Sequence, residues 1–79
     1  MHVGYTGPVR FIDRFTVLRG MRYIEGLSQE ELAAAVGTSR RTISSLERGR
    51  STPSLTLAVA LARRLDISVE ELFPEADRR

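Results

Sequence analysis

The sequence predicts an all-α domain of about five short helices. Serine residues recur at positions typical of helix N-caps, and apolar residues follow them at intervals of three and four. No stretch alternates apolar and polar residues over the length of a β-strand, and the segment from Val3 to Val9 is too rich in glycine to form one. The chain has 79 residues, which is the size of a single domain.

The pattern of the first helix is present from Phe15 to Glu25. The helix is expected to begin before this stretch, between Pro8 and Asp13. Gly20 lies inside it and weakens it by roughly 1 kcal/mol relative to alanine. Four apolar residues at helical spacing are expected to face the core: Val17, Leu18, Met21 and Ile24.

The second helix begins with a capping box, in which the Ser28 hydroxyl and the Glu31 carboxylate each accept from the other residue's backbone N–H. Gly37 ends this helix, because glycine readily takes the left-handed conformation of a C-terminal cap. Its buried face is predicted to consist of Leu32, Ala33 and Val36.

The third helix is capped by Ser39 and ends before Gly49. Ile43 and Leu46 form its buried stripe. Only Gly37 and Thr38 separate its Ser39 cap from Val36, the last apolar residue of the second helix.

The fourth helix is predicted over residues 55–65 after the Ser54 cap. The fifth helix opens with the Ser68–Glu71 capping box and ends at Pro74. The core residues of the fourth helix are expected to be Leu55, Ala58, Leu61, Ala62 and Leu65. Leu57, Val59 and Ala60 make the fourth helix apolar on every face, which predicts a further cover. That cover is either a second subunit or an N-terminal extension with Tyr5, Phe11, Ile12 and Phe15.

Composition excludes several classes of protein. The chain has no cysteine and one histidine, His2, so it cannot form disulfides, thiolate zinc sites, paired-histidine metal sites or a Ser-His-Asp triad. We therefore expect no metal, no cofactor and no enzymatic activity. No apolar run approaches the roughly 20 residues that cross a bilayer, so no membrane partner and a cytoplasmic location are expected.

The formal net charge is only +2, but the charged residues are unevenly distributed along the sequence. All twelve basic residues are arginine. Residues 38–51 contain four of them, Arg40, Arg41, Arg48 and Arg50, against a single acid. All the charged residues in 65–77 are acids: Asp66, Glu70, Glu71, Glu75 and Asp77. Each run is either a solvated face or a binding surface, and the basic run follows the tightest helix connection in the sequence.

Two helices joined by so short a glycine turn must cross steeply, and Ala33 supplies the small residue that their close approach needs. This pattern is typical of a helix-turn-helix, whose second helix lies in the DNA major groove.

Five motifs, in order and at matching spacing, resemble the Cro/cI-type (Xre-like) helix-turn-helix regulators: LSQEELA, SRRTIS, LERGR, PSL and LDISVEELF. The resemblance runs from about Val17 to Phe73. It implies a lambda-repressor-like domain over residues 15–74, preceded by an N-terminal extension at 1–14 and followed by a tail at 75–79. The family commonly ends its fourth helix with glycine, where this chain has Asp66, and because aspartate tolerates the left-handed conformation better than most residues, the same turn is expected here.

The resemblance also implies roles for individual residues. In the family, the first residues of the third helix and those one turn further read base edges, which points to Arg40, Arg41, Ser44 and Ser45. Phosphate contacts are implied for Gln29, Thr42, Arg48 and Arg50, and Gln29 also braces the first base-reading side chain. Arg40 and Arg41 contact either bases or phosphates, and Thr42 either binds phosphate or bonds within its own helix.

The family pairs an arginine, four residues before the glycine that follows the first helix, with a glutamate in the third helix. Arg22 and Glu47 match these positions. We expect a structural ion pair between them.

Together these features predict sequence-specific binding of double-stranded DNA by a small transcriptional regulator, with a recognition helix at about 40–47. We expect a homodimer on a palindromic operator, associated with the nucleoid. The dimer contact is expected at the end of the fourth helix and in the fifth, through Val69, Leu72 and Phe73. The alternative function is a DNA-binding antitoxin or interaction module, paired with a partner protein on its exposed apolar surface and acidic C-terminal segment.

Overall fold

The computed structural model of the chain describes residues 17–74. These residues form helices and no strand, which confirms the all-α prediction. The helices are α1 (helical over 17–24), α2 (Gln29–Val36), α3 (Arg40–Glu47), α4 (Leu55–Leu65) and α5 (Val69–Leu72). The start of the first helix, the predicted extension at 1–14 with Tyr5, Phe11 and Ile12, Phe15, and the tail at 75–79 lie outside the described residues.

Four serines set the starts of α2 to α5: Ser28, Ser39, Ser54 and Ser68. Each has extended backbone angles, and its hydroxyl accepts a hydrogen bond from the backbone N–H three residues later. At α2 and α5 the glutamate at that third position also accepts from the serine N–H, which completes both predicted capping boxes. These local bonds satisfy backbone donors that would otherwise lack a partner.

Helices α2 and α4 both end in a residue with left-handed backbone angles. Gly37 has φ +76°, and its N–H donates to the carbonyls of the last turn of α2. Asp66 occupies the same position after α4 with φ +58°, as the family resemblance implies, and it is the one non-glycine residue with positive φ in the described range. Aspartate tolerates this conformation better than most residues because its short polar side chain bonds locally.

The core is one cluster to which all five helices contribute. Six of its side chains are less than 2% exposed: Leu18, Leu32, Ile43, Leu61, Leu65 and Leu72. Ala33 is 3% exposed and lies on α2, which packs against both α3 and α4. The small residue predicted for the helix crossing is therefore buried. The packing of α2 against α3 and α4 fixes the direction in which the outer side of α3 faces.

Two residues predicted to face the core do not. Ile24 is 74% exposed and Leu55 is 77% exposed. Both occupy terminal turns, where a neighbouring helix no longer covers the residue at helical spacing. Leu57, which the sequence analysis left without a partner, packs against the core cluster instead.

The predicted dimer contact through α5 also needs correction. Leu72 is fully buried and Phe73 is 8% exposed, because both side chains insert into the core cluster where α5 packs against α4. They are structural residues of the domain. Val69 is half-buried and remains partly accessible.

Gly20→Ala is expected to raise the free energy of unfolding by about 1 kcal/mol, because alanine favours the helix and a Cβ at this position meets no atom within 4 Å. The matched control is Gly37→Ala. A Cβ there also has open space, but the positive φ makes this variant less stable than the native protein. Urea unfolding of both variants measures the two opposite changes. A loss of stability in Gly20→Ala would contradict the helical assignment.

Candidate nucleic-acid interface

Helix α3 separates buried from accessible side chains along its length. Ile43, Leu46 and Glu47 are buried, whereas Arg40 and Arg41 are exposed in its first turn. The turn after α3 carries two further exposed arginines, Arg48 and Arg50. One side of α3 is thereby committed to the core, and the other presents polar and cationic groups to solvent.

Six predicted DNA-contacting residues come together around one open groove of about 420 Å³: Arg40, Arg41, Ser44, Ser45, Arg48 and Arg50. A second, smaller cleft of about 250 Å³ borders it and shares Arg40, Ser44 and Arg48. Gln29 lines this second cleft. Thr42 lines neither, so the structure brings seven of the eight residues to one continuous surface.

Two hydroxyl groups of this region are already hydrogen-bonded within the protein. The Ser45 hydroxyl accepts from the Ser51 hydroxyl at 3.0 Å, which connects the loop after α3 to the helix itself. The Thr42 hydroxyl lies 3.0 Å from the hydroxyl of Ser39, the N-cap of the same helix. For Thr42 the local bond that the sequence analysis left open is therefore present.

Arg22 and Glu47 form a buried ion pair beneath this surface. The Nε of Arg22 donates to Oε2 of Glu47 at 2.6 Å, and Nη2 donates to Oε1 at 3.0 Å. The two residues are 6% and 3% exposed. The hydrogen bond to Glu47 raises the pKa of the Arg22 guanidinium above its ordinary value, so the arginine is charged at every relevant pH.

The same cluster joins three helices. The third guanidinium nitrogen of Arg22, Nη1, donates to the carbonyl of Leu27 in the α1–α2 loop at 2.9 Å. The Nε2 of Gln29, at the start of α2, donates to Oε1 of Glu47 at 3.0 Å. Because Arg22 neutralises Glu47, the only acid of the basic segment does not reduce the positive potential of the exposed arginines.

Arg19 and Tyr23, which no sequence motif indicates, line the smaller cleft with Gln29. The Arg22 guanidinium carbon lies 4.7 Å from the centre of the Tyr23 ring. Residues 19, 22 and 23 are spaced to share one side of a helix, so the position of Arg22 could have identified the other two.

Within residues 17–74, no three histidine, cysteine or carboxylate side chains lie close enough together to hold a metal ion. No helix in this part of the chain is both long and apolar enough to span a membrane.

Comparisons with known proteins agree with this architecture. The sequence model of a helix-turn-helix family matches residues 21–72. An HTH-type transcriptional regulator of Methanothermobacter thermautotrophicus is 49% identical over 59 residues, which cover 73% of this chain and 86% of that protein. One from Archaeoglobus fulgidus is 47% identical over 58 residues, with 73% and 83% covered.

Two solved structures resemble the chain closely. The restriction-modification controller protein C.AhdI of Aeromonas hydrophila superimposes with a TM-score of 0.71 at 40% identity, covering 81% of this chain and 98% of that one. The clp gene regulator ClgR of Corynebacterium glutamicum gives a TM-score of 0.70 at 33% identity, with 82% and 70% covered. The chain belongs to the helix-turn-helix family, and its resemblance to the Cro/cI-type (Xre-like) regulators is confirmed.

Glu47→Ala is expected to lower the free energy of unfolding by about 3–5 kcal/mol, because it leaves the buried Arg22 charge without a partner. Glu25→Ala is the matched control. Glu25 contacts Arg64 at 3.5 Å on the surface, where both side chains are more than a third exposed, so its loss changes stability by at most about 1 kcal/mol. Urea titrations followed by circular dichroism measure both. Equal losses in the free energy of unfolding of the two variants would contradict the larger contribution expected of the buried pair.

Proposed function

We propose that this chain is a transcriptional regulator that binds double-stranded DNA sequence-specifically, with α3 in the major groove. The observation that carries the proposal is the open groove around α3, which gathers four exposed arginines and two serines. Family membership and the regulators among its relatives support the same function. Binding to the chromosome would place the protein at the nucleoid.

Base reading is assigned first to Arg40 and Arg41. Both are exposed in the first turn of α3, which is the end that would enter the DNA major groove. Arginine bonds guanine O6 and N7 in bidentate fashion. Ser44 and Ser45 are shorter and half-buried, and Ser45 already accepts from Ser51. We therefore expect guanine in each half-site, with the serines making secondary contacts.

Phosphate binding is assigned to Arg48, Arg50 and Gln29, with Thr42 in a supporting role. Each arginine that neutralises a phosphate steepens the fall of log K with log[salt] by about 0.9. Gln29 is neutral, so its contact would add affinity without changing that slope. This difference separates its contribution from those of the arginines.

We further propose that the regulator is a homodimer that pairs through a groove on the α4–α5 side, since Leu72 and Phe73 are committed to the core. This groove of about 600 Å³ has partly accessible apolar residues, Val59, Ile67 and Val69. Arg63 lines it together with Asp66 and Glu71. A surface that carries both signs of charge is complementary to a second copy of itself across a two-fold axis.

A selection of bound sequences from a random DNA pool, repeated at several salt concentrations, tests the function. Two-fold binding predicts a palindromic site with half-sites one DNA turn, about 34 Å, apart. Specific reading predicts G·C base pairs in each half-site and a steep loss of affinity with salt. Recovery of no common sequence would overturn the proposal.

Arg41→Ala is expected to weaken binding to the selected site by about 1–3 kcal/mol and to relax preference at one base position per half-site. Arg64→Ala removes the same charge from a distant exposed position and is expected to change neither quantity. Fluorescence anisotropy with the selected site and its single-base variants measures the effect. Uniform weakening across all sequences would reassign Arg41 to a phosphate contact.

Arg63→Glu is expected to weaken dimerisation at least about tenfold, because it places an acid opposite the acids of the second copy. Arg41→Glu, which makes the same change on the outer side of α3 and does not line this groove, is the control. Sedimentation velocity over a range of protein concentrations measures both. If the native chain stays monomeric while co-purifying with a partner protein, the groove instead belongs to the alternative function of an interaction module.

A further inference from the structure

We propose that Glu47 is a positioning residue for DNA binding, in addition to its part in the buried ion pair. Its carboxylate holds the Gln29 side chain in a fixed orientation at the DNA surface. This inference rests on the proposed function. It gives one buried acid two roles, since Glu47 would stabilise the domain through Arg22 and orient Gln29 for a contact to the DNA backbone.

The geometry of the carboxylate is the first argument. Oε1 of Glu47 is shared by two donors, since Nη2 of Arg22 and Nε2 of Gln29 both lie 3.0 Å from it. Oε2 accepts from Nε of Arg22 at 2.6 Å. At 3% exposure the carboxylate cannot turn toward water without leaving the Arg22 guanidinium unpaired, so its position is fixed by the fold.

The chemistry of the amide is the second argument. A carboxylate only accepts hydrogen bonds, so it selects the NH₂ end of Gln29 and excludes the opposite rotamer of the amide. No other hydrogen bond among the described residues uses the Gln29 side chain. The carbonyl oxygen and the second N–H consequently stay available at the cleft that Arg40 and Arg48 also line.

These remaining groups suit a DNA surface. The second N–H can donate to a backbone phosphate, and the carbonyl can accept from the neighbouring Arg40 guanidinium. A free glutamine would lose rotamer freedom on forming these contacts, whereas a side chain already held in the unbound protein loses little. The pre-orientation is expected to improve DNA affinity about three- to tenfold.

A nuclear magnetic resonance measurement on the free protein tests the orientation directly. The chain contains one glutamine and no asparagine, so the side-chain NH₂ signals of Gln29 are the only ones of their kind. We expect one of the two protons to be shifted downfield from its position in free glutamine, and slowed in exchange with water. Arg22→Lys, which weakens the pair but keeps the carboxylate, should lower stability and retain this signature.

Glu47→Gln should weaken the signature, because the variant has one neutral acceptor oxygen to share between the Arg22 guanidinium and Gln29, whereas the native carboxylate offers two charged oxygens. The new side chain adds its own NH₂ signals, which the double variant with Gln29→Ala identifies. Signals of Gln29 that match free glutamine in the native protein would overturn the proposal, whether or not the Glu47 variant folds.

A binding cycle with the selected DNA, at a temperature where circular dichroism shows each variant folded, tests the consequence. Glu47→Gln should weaken binding about three- to tenfold in the native background and not measurably once Gln29→Ala is present. Arg22→Lys should leave affinity within about twofold despite its lower stability. An unchanged affinity in Glu47→Gln, or an equal loss in both backgrounds, would leave Glu47 with a structural role alone. Absence of specific DNA binding by the native protein would overturn the proposed function itself, while the amide signature of the free protein would persist.

Discussion

The ion pair between Arg22 and Glu47 fixes how α3, and with it the proposed DNA-binding surface, packs against the rest of the domain. Burial of two charges is costly, and such a pair contributes little net stability compared with apolar residues of the same volume. Its importance lies in the penalty for separating the partners, which makes any rearrangement of α1 against α3 expensive. Arg22 also bonds the carbonyl of Leu27, and Glu47 bonds Gln29, so the loop before α2 and the start of α2 are held by the same two side chains. These bonds thus fix the orientation of α3, and with it the orientation of the arginines on its outer side.

Much of the fold could be predicted because its signals are local. A serine cap and the glutamate three residues later bond within a single turn, so their spacing alone sets the starts of α2 and α5. Gly37 and Asp66 likewise end their helices through their own backbone conformation. Burial depends on distant elements, and there the predictions were less accurate. Ile24 and Leu55 have the periodicity of core residues but lie in terminal turns that no neighbour covers, whereas Phe73 is buried only because α5 folds back on α4.

The site was predictable to the extent that the motif fixes the placement of each residue. Residues one turn apart on α3 necessarily share a face, so the groove around Arg40, Arg41 and Ser44 follows from the helix itself. The bond between Gln29 and Glu47 joins residues from different helices, and nothing in their separation along the chain indicates that a single carboxylate oxygen serves two donors. The Ser45–Ser51 bond was missed for a similar reason, since it depends on the path of the loop after α3.

The alternation of roles along α3 has a consequence for how such proteins diversify. On the outer side of α3, Arg40 and Arg41 are exposed and Ser44 is half-buried, whereas Ile43 and Leu46 on the other side maintain the core. Under the proposed function, substitutions on the outer side that change the preferred DNA sequence need not disturb folding. Copies of one ancestral gene can therefore acquire separate operators through a few exchanges on the outer face, without compensating changes elsewhere. Glu47 limits this freedom, because an exchange there would remove the bonds to Arg22 and Gln29 and so alter both the packing of the domain and the proposed DNA contact. Divergence in binding specificity is thus expected to spare it while the arginines of the first turn change.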